Sequence, residues 1–458
     1  MDQADRDWVE EVSGGTVAGL QRTAQGGSRA TWLLDVERPG GERLGLVLRR
    51  DSGDGPFTGT ELTLEREATV YRALAGTGVA VPRLVALSPD GQAMLTERVE
   101  GSDDFDAIAD VDERDRVAAS FVEELAVLHR VDPAALDLPG FPRSPTPRDA
   151  VLGDLDLWER VFEQRVRRPA PIVRFALGWA RRNVPLSIDR TVLCWGDVGP
   201  GNFLHRDGRV SALLDWELAH LGDPMDDLAF FALRANLLFE GRFGDVDARL
   251  RRYAELVGAP LDPGRIRYYQ PVVLTRWLVA SLAGLDGRTE HTMPGITYLF
   301  LVVAVQKWLA EVLADLVGAP RQDVTDPDPT PTPDRDRSEV LELLMGDLTT
   351  AILPAVAGDP AAARRAMGMA VMLNHLQADD VLGPAVEEAG RDDLATVLGH
   401  RPDSVTAGLA QLDAVVAEAG PERDAELAAF FVRHAGRTGA LWPAVAPYLA
   451  KRVDPVGT

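Results

Sequence analysis

TVLCWGDVGPGNFLHRDGRVSALLDWELAHLGDPMDDLA, residues Thr191 to Ala229, is the stretch from which the rest of the chain can be read. An apolar run (Val192, Leu193, Cys194, Trp195) leads into a turn carrying Asp197 and Asn202. A second apolar run, Val210 to Leu214, ends in Asp215, and a loop follows with Asp223 and Asp227. Only Val198, Gly199, Pro200 and Gly201 separate Asp197 from Asn202, so a tight turn can fold a carboxylate and an amide toward one point. Asp215 closes a short strand that can pair with the segment before it and bring a second carboxylate to the same place. Phosphoryl transfer needs such a set: one carboxylate to accept a hydroxyl proton, and an amide plus a carboxylate to hold Mg²⁺ against nucleotide phosphates. The same residue types also cap and turn chains.

Taken in order, Trp195-Gly196-Asp197, Asn202, Asp215-Trp216-Glu217, Gly222-Asp223-Pro224 and Asp227 make the chain resemble the aminoglycoside phosphotransferase-like (choline/ethanolamine kinase-related) family. That family's loop reads H-G-D-x-x-x-x-N, followed by D-x-E and G-D-P with a further Asp. The resemblance implies an α+β, protein-kinase-like fold of two lobes, a small β-rich N-lobe and a larger helical C-lobe. It also implies ATP and Mg²⁺ as cofactors, Asp197 as catalytic base, and Asn202 and Asp215 as metal ligands. Trp195 stands where the family has histidine, a position that supports the loop, so the base itself is retained.

The earlier residues fit that order. Strands are expected over Val17–Gln25, Ala30–Val36 and Leu44–Arg50, with the Gly26-Gly27-Ser28 turn placed where backbone N–H groups could cover phosphates. The kinase-like pattern ends its third strand in a lysine paired with a helix glutamate. The only lysines, Lys307 and Lys451, come after the Asp197 loop. By resemblance Arg49 takes the phosphate-gripping place, with Arg50 as the alternative, and Glu67 on a helix over Leu62–Leu74 is its partner. Val79–Leu87 and Met94–Val99 read as strands, and by resemblance Glu97 to Val99 form the connector that meets the adenine. His129, in Leu125-Ala-Val-Leu-His-Arg-Val-Asp132, is expected to brace the loop rather than to act as base.

The 458 residues carry a net charge of −23, with 46% apolar and 26% charged residues. Such an acidic chain is a poor match for nucleic acid or an anionic membrane. The single cysteine, Cys194, excludes an internal disulfide and reads as buried filler. No apolar signal region opens the sequence, and apolar stretches such as Ile296–Val305 read as too short to span a bilayer. The expectation is a soluble cytoplasmic protein.

Four segments are expected: an N-lobe over residues 1–100, a C-lobe over 101–320, a Pro-rich linker over 321–337, and an all-α domain over 338–458. The last resembles a helical domain of unassigned function found behind such phosphotransferases. Its helices are expected at Val340–Leu353, Ala361–Leu376, Val381–Leu398, Ser404–Ala419, Glu422–His434 and Leu441–Lys451. Its expected role is packing on the kinase lobe or forming a homodimer. The functional reading is transfer of the ATP γ-phosphate to the hydroxyl of a small molecule, with hydroxylated acyl or lipid-derived compounds, aminoglycosides and macrolides as acceptor classes. A nucleotide-binding pseudokinase, acting as a scaffold through its helical domain, is the alternative.

Overall fold

Strict alternation builds the first layer. In β2 (Ala30–Glu37), Ala30, Trp32, Leu34 and Val36 are buried while the residues between them are not. β2 lies between β1 (Thr16–Arg22) and β3 (Arg43–Arg50), and β5 (Ala93–Glu97) and β4 (Leu84–Leu87) complete an antiparallel sheet of order β1-β2-β3-β5-β4. The structure is a computed structural model that describes residues 1–23, 29–51, 53, 55–287, 295–320 and 335–457. The Gly26-Gly27-Ser28 turn lies outside the described residues.

Helix α1 (Gln3–Ser13) closes one face of the sheet through Val9, in a core shared with Trp32, Leu34, Leu46, Leu48 and Leu95. Helix α2 (Leu64–Leu74), capped by the Thr63 side chain, contributes Ala68, Tyr71 and Leu74 to the larger core, which Met94 joins from β5. Of the expected strand over Val79–Leu87, only Leu84–Leu87 pairs in the sheet. Pro82 has no N–H for a ladder, and the backbone before it bridges to the large lobe. Ala80 O accepts from Leu213 N at 2.7 Å, and Ala80 N donates to Glu124 Oε2 at 3.3 Å.

The large lobe is helical: α3 (Val111–Arg130), α4 (Pro147–Arg165), α5 (Pro171–Arg182), α6 (Pro224–Leu237), α7 (Val246–Val257), α8 (Pro263–Asp286) and α9 (Gly295–Val317). Between α5 and α6 run four short strands: β6 (Val192–Cys194), β7 (Phe203–Arg206), β8 (Arg209–Leu213) and β9 (His220–Gly222), paired β6 with β9 and β7 with β8. This is the two-lobed, kinase-like α+β architecture expected, with the loop of interest between β6 and β7. The apolar run judged too short to span a bilayer extends further. Ile296–Val317 is one 22-residue helical stretch, long and apolar enough to cross a membrane by length and composition, and half of its most apolar window is buried. Trp308, Leu309, Val312 and Leu313 are fully buried, and α9 packs on α8.

Beyond residue 334 come α10 (Arg335–Asp347), a π-helical turn (Leu348–Ile352), α11 (Pro360–Leu398), α12 (Val405–Glu418) and α13 (Asp424–Ala440). Two helices were expected where α11 runs unbroken for 39 residues through Pro384. A proline inside a helix costs about 3 kcal/mol, and packing of α12 and α13 along α11 offsets it. The polar Asp379-Asp380 pair that reads as a break is held laterally, with Ser338 Oγ donating to Asp380 Oδ2 at 2.6 Å. The expected closing helix over Leu441–Lys451 is reduced to short turns and Ala446–Leu449. Helix α13 packs against α9, and α12 against α5.

Candidate functional site

The Asp197 loop is fixed from behind by one carboxylate. Asp227, in the first turn of α6, accepts from Trp195 N at 2.6 Å and from Gly196 N at 2.9 Å. His129 on α3 lies 3.0 Å from Asp227 Oδ2 through Nε2 and 2.7 Å from Tyr253 Oη through Nδ1. His129 is therefore a brace, as expected, and Asp227 binds the loop rather than capping its own helix. Asp223 is the cap, accepting from Met225 N at 3.0 Å. Gly196 (φ +86°) is required sterically, since a Cβ there would lie 2.2 Å from Leu218 O. Trp195 is fully buried; its Nε1 donates to Leu214 O at 2.8 Å and its ring packs against Trp216 and Phe121. Cys194 is buried as filler, and burial pushes its thiol well above the ordinary range.

At the front, Asn202 Nδ2 donates to Asp197 O at 2.8 Å. Leu214 N donates to Asn202 O at 2.7 Å, so the residue before Asp215 is stitched to Asn202. Asp215 takes a left-handed backbone (φ +59°), a strained conformation for a non-glycine residue that the surrounding loop must hold in place. These bonds tie the Asp197 backbone, Asn202 and the residue before Asp215 together. Arg234, on α6, was not foreseen. Its Nη1 donates to Asp197 Oδ1 at 2.6 Å and its Nη2 to Pro200 O at 2.6 Å. Burial pushes the Asp197 carboxyl up, and Arg234 pulls it back toward the ionised form.

From the opposite lobe, Arg49 at the end of β3 donates through Nη1 to Glu67 on α2 and through Nη2 to Asp215 Oδ1 at 2.8 Å. Arg50, the alternative, turns to Asp5 of α1 at 2.7 Å. Arg29 extends the chain of charges: Nη1 donates to Glu67 Oε2 at 3.0 Å and to Glu217 Oε2 at 2.7 Å, and Nη2 to Leu62 O at 2.8 Å. Five side chains, Asp215, Arg49, Glu67, Arg29 and Glu217, therefore tie the lobes together. Burial pushes the Glu67 and Glu217 carboxyls up, and the two guanidiniums oppose it. Burial also works against the charge of Arg49, yet Asp215 and Glu67 hold it well above its ordinary value. Glu67, Asp215 and Glu217 each offer an oxygen within 4.8 Å of the others. Burial pushes the Glu217 carboxyl up to about 8, so at neutral pH this cluster carries little net charge.

Glu97 ends β5 opposite Leu46, with its side chain on Arg83, and Val99 is half-buried in the connector to Gly101. Arg29 directly follows Gly26-Gly27-Ser28 in the sequence, which gave a faint signal. Arg234 sits inside an apolar helix, 37 residues from its partner, and gave none.

Asp223 supplies a pH-dependent term. Burial pushes its carboxyl up to about 6, against Met225 N and Arg265, which lower it. Its Oδ2 has no hydrogen bond among the described residues. The folded state binds this proton more tightly than the unfolded one. The resulting stability is present in full below about pH 4 and lost as pH rises through about 6, a change of about 3 kcal/mol. Asp223→Asn keeps a capping side chain and removes the titration. Urea unfolding at pH 4 and pH 7 is expected to show wild type losing ground to the variant at the higher pH.

The sequence profile of the phosphotransferase enzyme family matches residues 19–270. Acyl-CoA dehydrogenase family member 11 from Gallus gallus is 29% identical over 220 residues, covering 46% of this chain and 27% of that protein. The Rattus norvegicus protein of the same name is 31% identical over 181 residues, 37% of this chain and 23% of that protein. The aligned stretch spans about a quarter of the length of these relatives. Among solved structures, a protein described as a candidate aminoglycoside phosphotransferase from Ralstonia eutropha matches with a TM-score of 0.50 at 21% identity, covering 66% of this chain and 94% of that one. That likeness is one of fold.

Proposed function

Because this chain belongs to the phosphotransferase enzyme family, we propose that it is an ATP-dependent small-molecule kinase transferring the γ-phosphate to a substrate hydroxyl. The observation that carries this reading is the stitching of Asn202 to Leu214, which sets Asn202 and Asp215 beside Asp197 while Arg49 reaches across from the sheet. Asp197 accepts the hydroxyl proton as the acceptor oxygen bonds to the γ-phosphorus and the bond to the β-phosphate oxygen breaks, releasing ADP. Arg234 orients the Asp197 carboxylate. Arg49, held by Glu67 through Nη1 and by Asp215 through Nη2, binds phosphate oxygens with the N–H groups that these bonds leave. The Gly26 to Ser28 turn covers the phosphates, and Glu97 to Val99 meet the adenine.

The donor set fits Mg²⁺: Asn202 commits its amide nitrogen to Asp197, which leaves its oxygen, and Asp215 adds a carboxylate, all hard ligands. Bound there, Mg²⁺ would neutralise charge on the phosphates.

Arg49→Met is expected to raise KM for ATP by about 10- to 100-fold, the size of one charged hydrogen-bonding group lost. Arg49→Lys is expected to recover much of it, since lysine keeps the charge but not the fork. Steady-state kinetics over a range of ATP concentrations checks both.

Two acceptor classes have support. The acyl-CoA dehydrogenase relatives favour a hydroxylated acyl compound, and the resemblance of the Asp197 to Asp227 motifs to aminoglycoside phosphotransferases favours an aminoglycoside. Coupled measurement of ADP release with hydroxyacyl compounds, aminoglycosides and macrolides tests the reading. Acceptor-dependent release supports it, and ATP binding without release for every class favours the scaffold alternative.

A further inference from the structure

Glu67 commits both carboxyl oxygens to guanidiniums of its own lobe. Oε1 takes Arg49, Oε2 takes Arg29 at 3.0 Å, and Glu67 itself is fully buried. Arg49 belongs to the phosphate-gripping pair of the kinase-like pattern, whereas Arg29, the residue before β2, has no part in that pattern. Arg29 is 4% exposed, and its Nε is buried without a hydrogen bond among the described residues. A buried guanidinium is costly to hold, and its other donors go to both sides of the lobe boundary. Nη1 is shared between Glu67 and Glu217, the latter at 2.7 Å, and Nη2 donates to Leu62 O at 2.8 Å, just ahead of the Thr63 cap of α2.

Glu217 lies two residues beyond Asp215, and Trp216 between them is buried against Trp195 of the large lobe. The contacts therefore close on themselves: Asp215 to Arg49, Arg49 to Glu67, Glu67 to Arg29, Arg29 to Glu217, and back along the chain to Asp215. With Arg49 alone, the small lobe would meet this segment at one side chain and could pivot about it. The second contact, through Glu217, fixes orientation as well as distance. Asp215 depends on such support, since its left-handed backbone (φ +59°) persists only where neighbours over-determine it. Bonds in a closed, buried network reinforce one another.

We propose that Arg29 is a positioning residue for the nucleotide: by joining Glu67 to Glu217 it holds the Arg49 guanidinium and the Asp215 carboxylate in register for the phosphates. This role rests on the kinase reading, and Arg29 acts through Arg49 and Asp215 rather than on the phosphates themselves.

Three variants of the full chain test it: Arg29→Met, Glu217→Met and the two combined. Glu217→Met removes the arm that crosses between the lobes and leaves Arg29 with Glu67 and Leu62, so it serves even if Arg29→Met folds poorly. In hydrogen exchange without nucleotide, peptides covering Leu214 to Glu217 are expected to exchange at least about tenfold faster in each variant, while peptides from α8, in the core of the large lobe, exchange as in wild type. In calorimetric titration with ATP and Mg²⁺, each single variant binds ATP about tenfold more weakly, the loss expected for one charged hydrogen bond. The combined variant binds no more weakly than Arg29→Met, because both substitutions remove the same tie. A purely structural Arg29 would instead lower the melting temperature and leave ATP affinity at the wild-type value, which overturns the proposal. Unchanged exchange at Leu214 to Glu217 overturns it too, as does exchange that quickens equally in α8, or losses of affinity that multiply in the combined variant. Wild type that binds no ATP ends the kinase reading and the phosphate role of Arg29 with it, whereas wild type and variants that bind ATP equally well defeat the role of Arg29 alone.

Discussion

Asp197→Asn is expected to lower kcat by about 10³-fold, within the range for removing a general base, while KM for ATP stays within about threefold. Asparagine matches aspartate in shape, so Arg234 and Pro200 keep their positions, but it cannot take up the hydroxyl proton. The prediction separates two roles for this side chain. If Asp197 mainly held Arg234 and the loop in place, its loss would raise KM for ATP and lower thermal stability together. If it accepts the proton, the loss is confined to kcat. Initial rates at saturating acceptor, with nucleotide affinity titrated independently, distinguish the two. Arg234→Lys should give a smaller loss in kcat, because a lysine can reach the carboxylate but not the Pro200 carbonyl at the same time.

Arg276→Met is expected to cost about 3–5 kcal/mol of folding stability at neutral pH. Arg276 is 3% exposed. Its Nη1 and Nη2 donate to the two oxygens of Asp226 at 2.8 and 2.7 Å, and Nη2 also reaches Asp154 Oδ2 at 2.5 Å. His220 Nε2 sits 3.1 Å from Asp226 Oδ2. Removing the guanidinium leaves the buried carboxylates of Asp154 and Asp226 without their shared cation, with His220 beside Asp226, a charge arrangement the interior does not tolerate. Those carboxyls would take up protons instead, so the deficit against wild type should shrink as pH falls toward 5. Urea titrations of both proteins at pH 7 and pH 5 check this. Asp226 adjoins Asp227, which holds the loop by two backbone N–H groups, so activity should fall with stability.

The parts of the candidate site legible in the sequence are those whose geometry is local. Asp197, Asn202 and Asp215 lie within 19 residues, and the glycines and short strands between them leave few ways to fold. The resemblance to the kinase-like pattern pairs Arg49 with Glu67, and they meet. The contacts that escaped are long-range. Arg29 meets Glu217 across 188 positions and Arg276 meets Asp154 across 122. No local pattern announces such a pair, because burial of a guanidinium is decided by elements that meet only in the folded chain. The misread segments have a related cause. Pro82 was read inside a strand over Val79–Leu87, but it sits in backbone recruited to bridge the lobes, and the break expected between Leu376 and Val381 lies within a helix held by its neighbours. Local propensity sets the default, and tertiary packing overrode it at both places.

The most direct test of the central claim is ³¹P NMR of the products formed from ATP, Mg²⁺ and each acceptor class. The account predicts a phosphomonoester resonance growing in step with ADP for one class of hydroxyl compound in wild type, and none with Asp197→Asn. Inorganic phosphate alone, or a phosphomonoester formed equally by the variant, would contradict it.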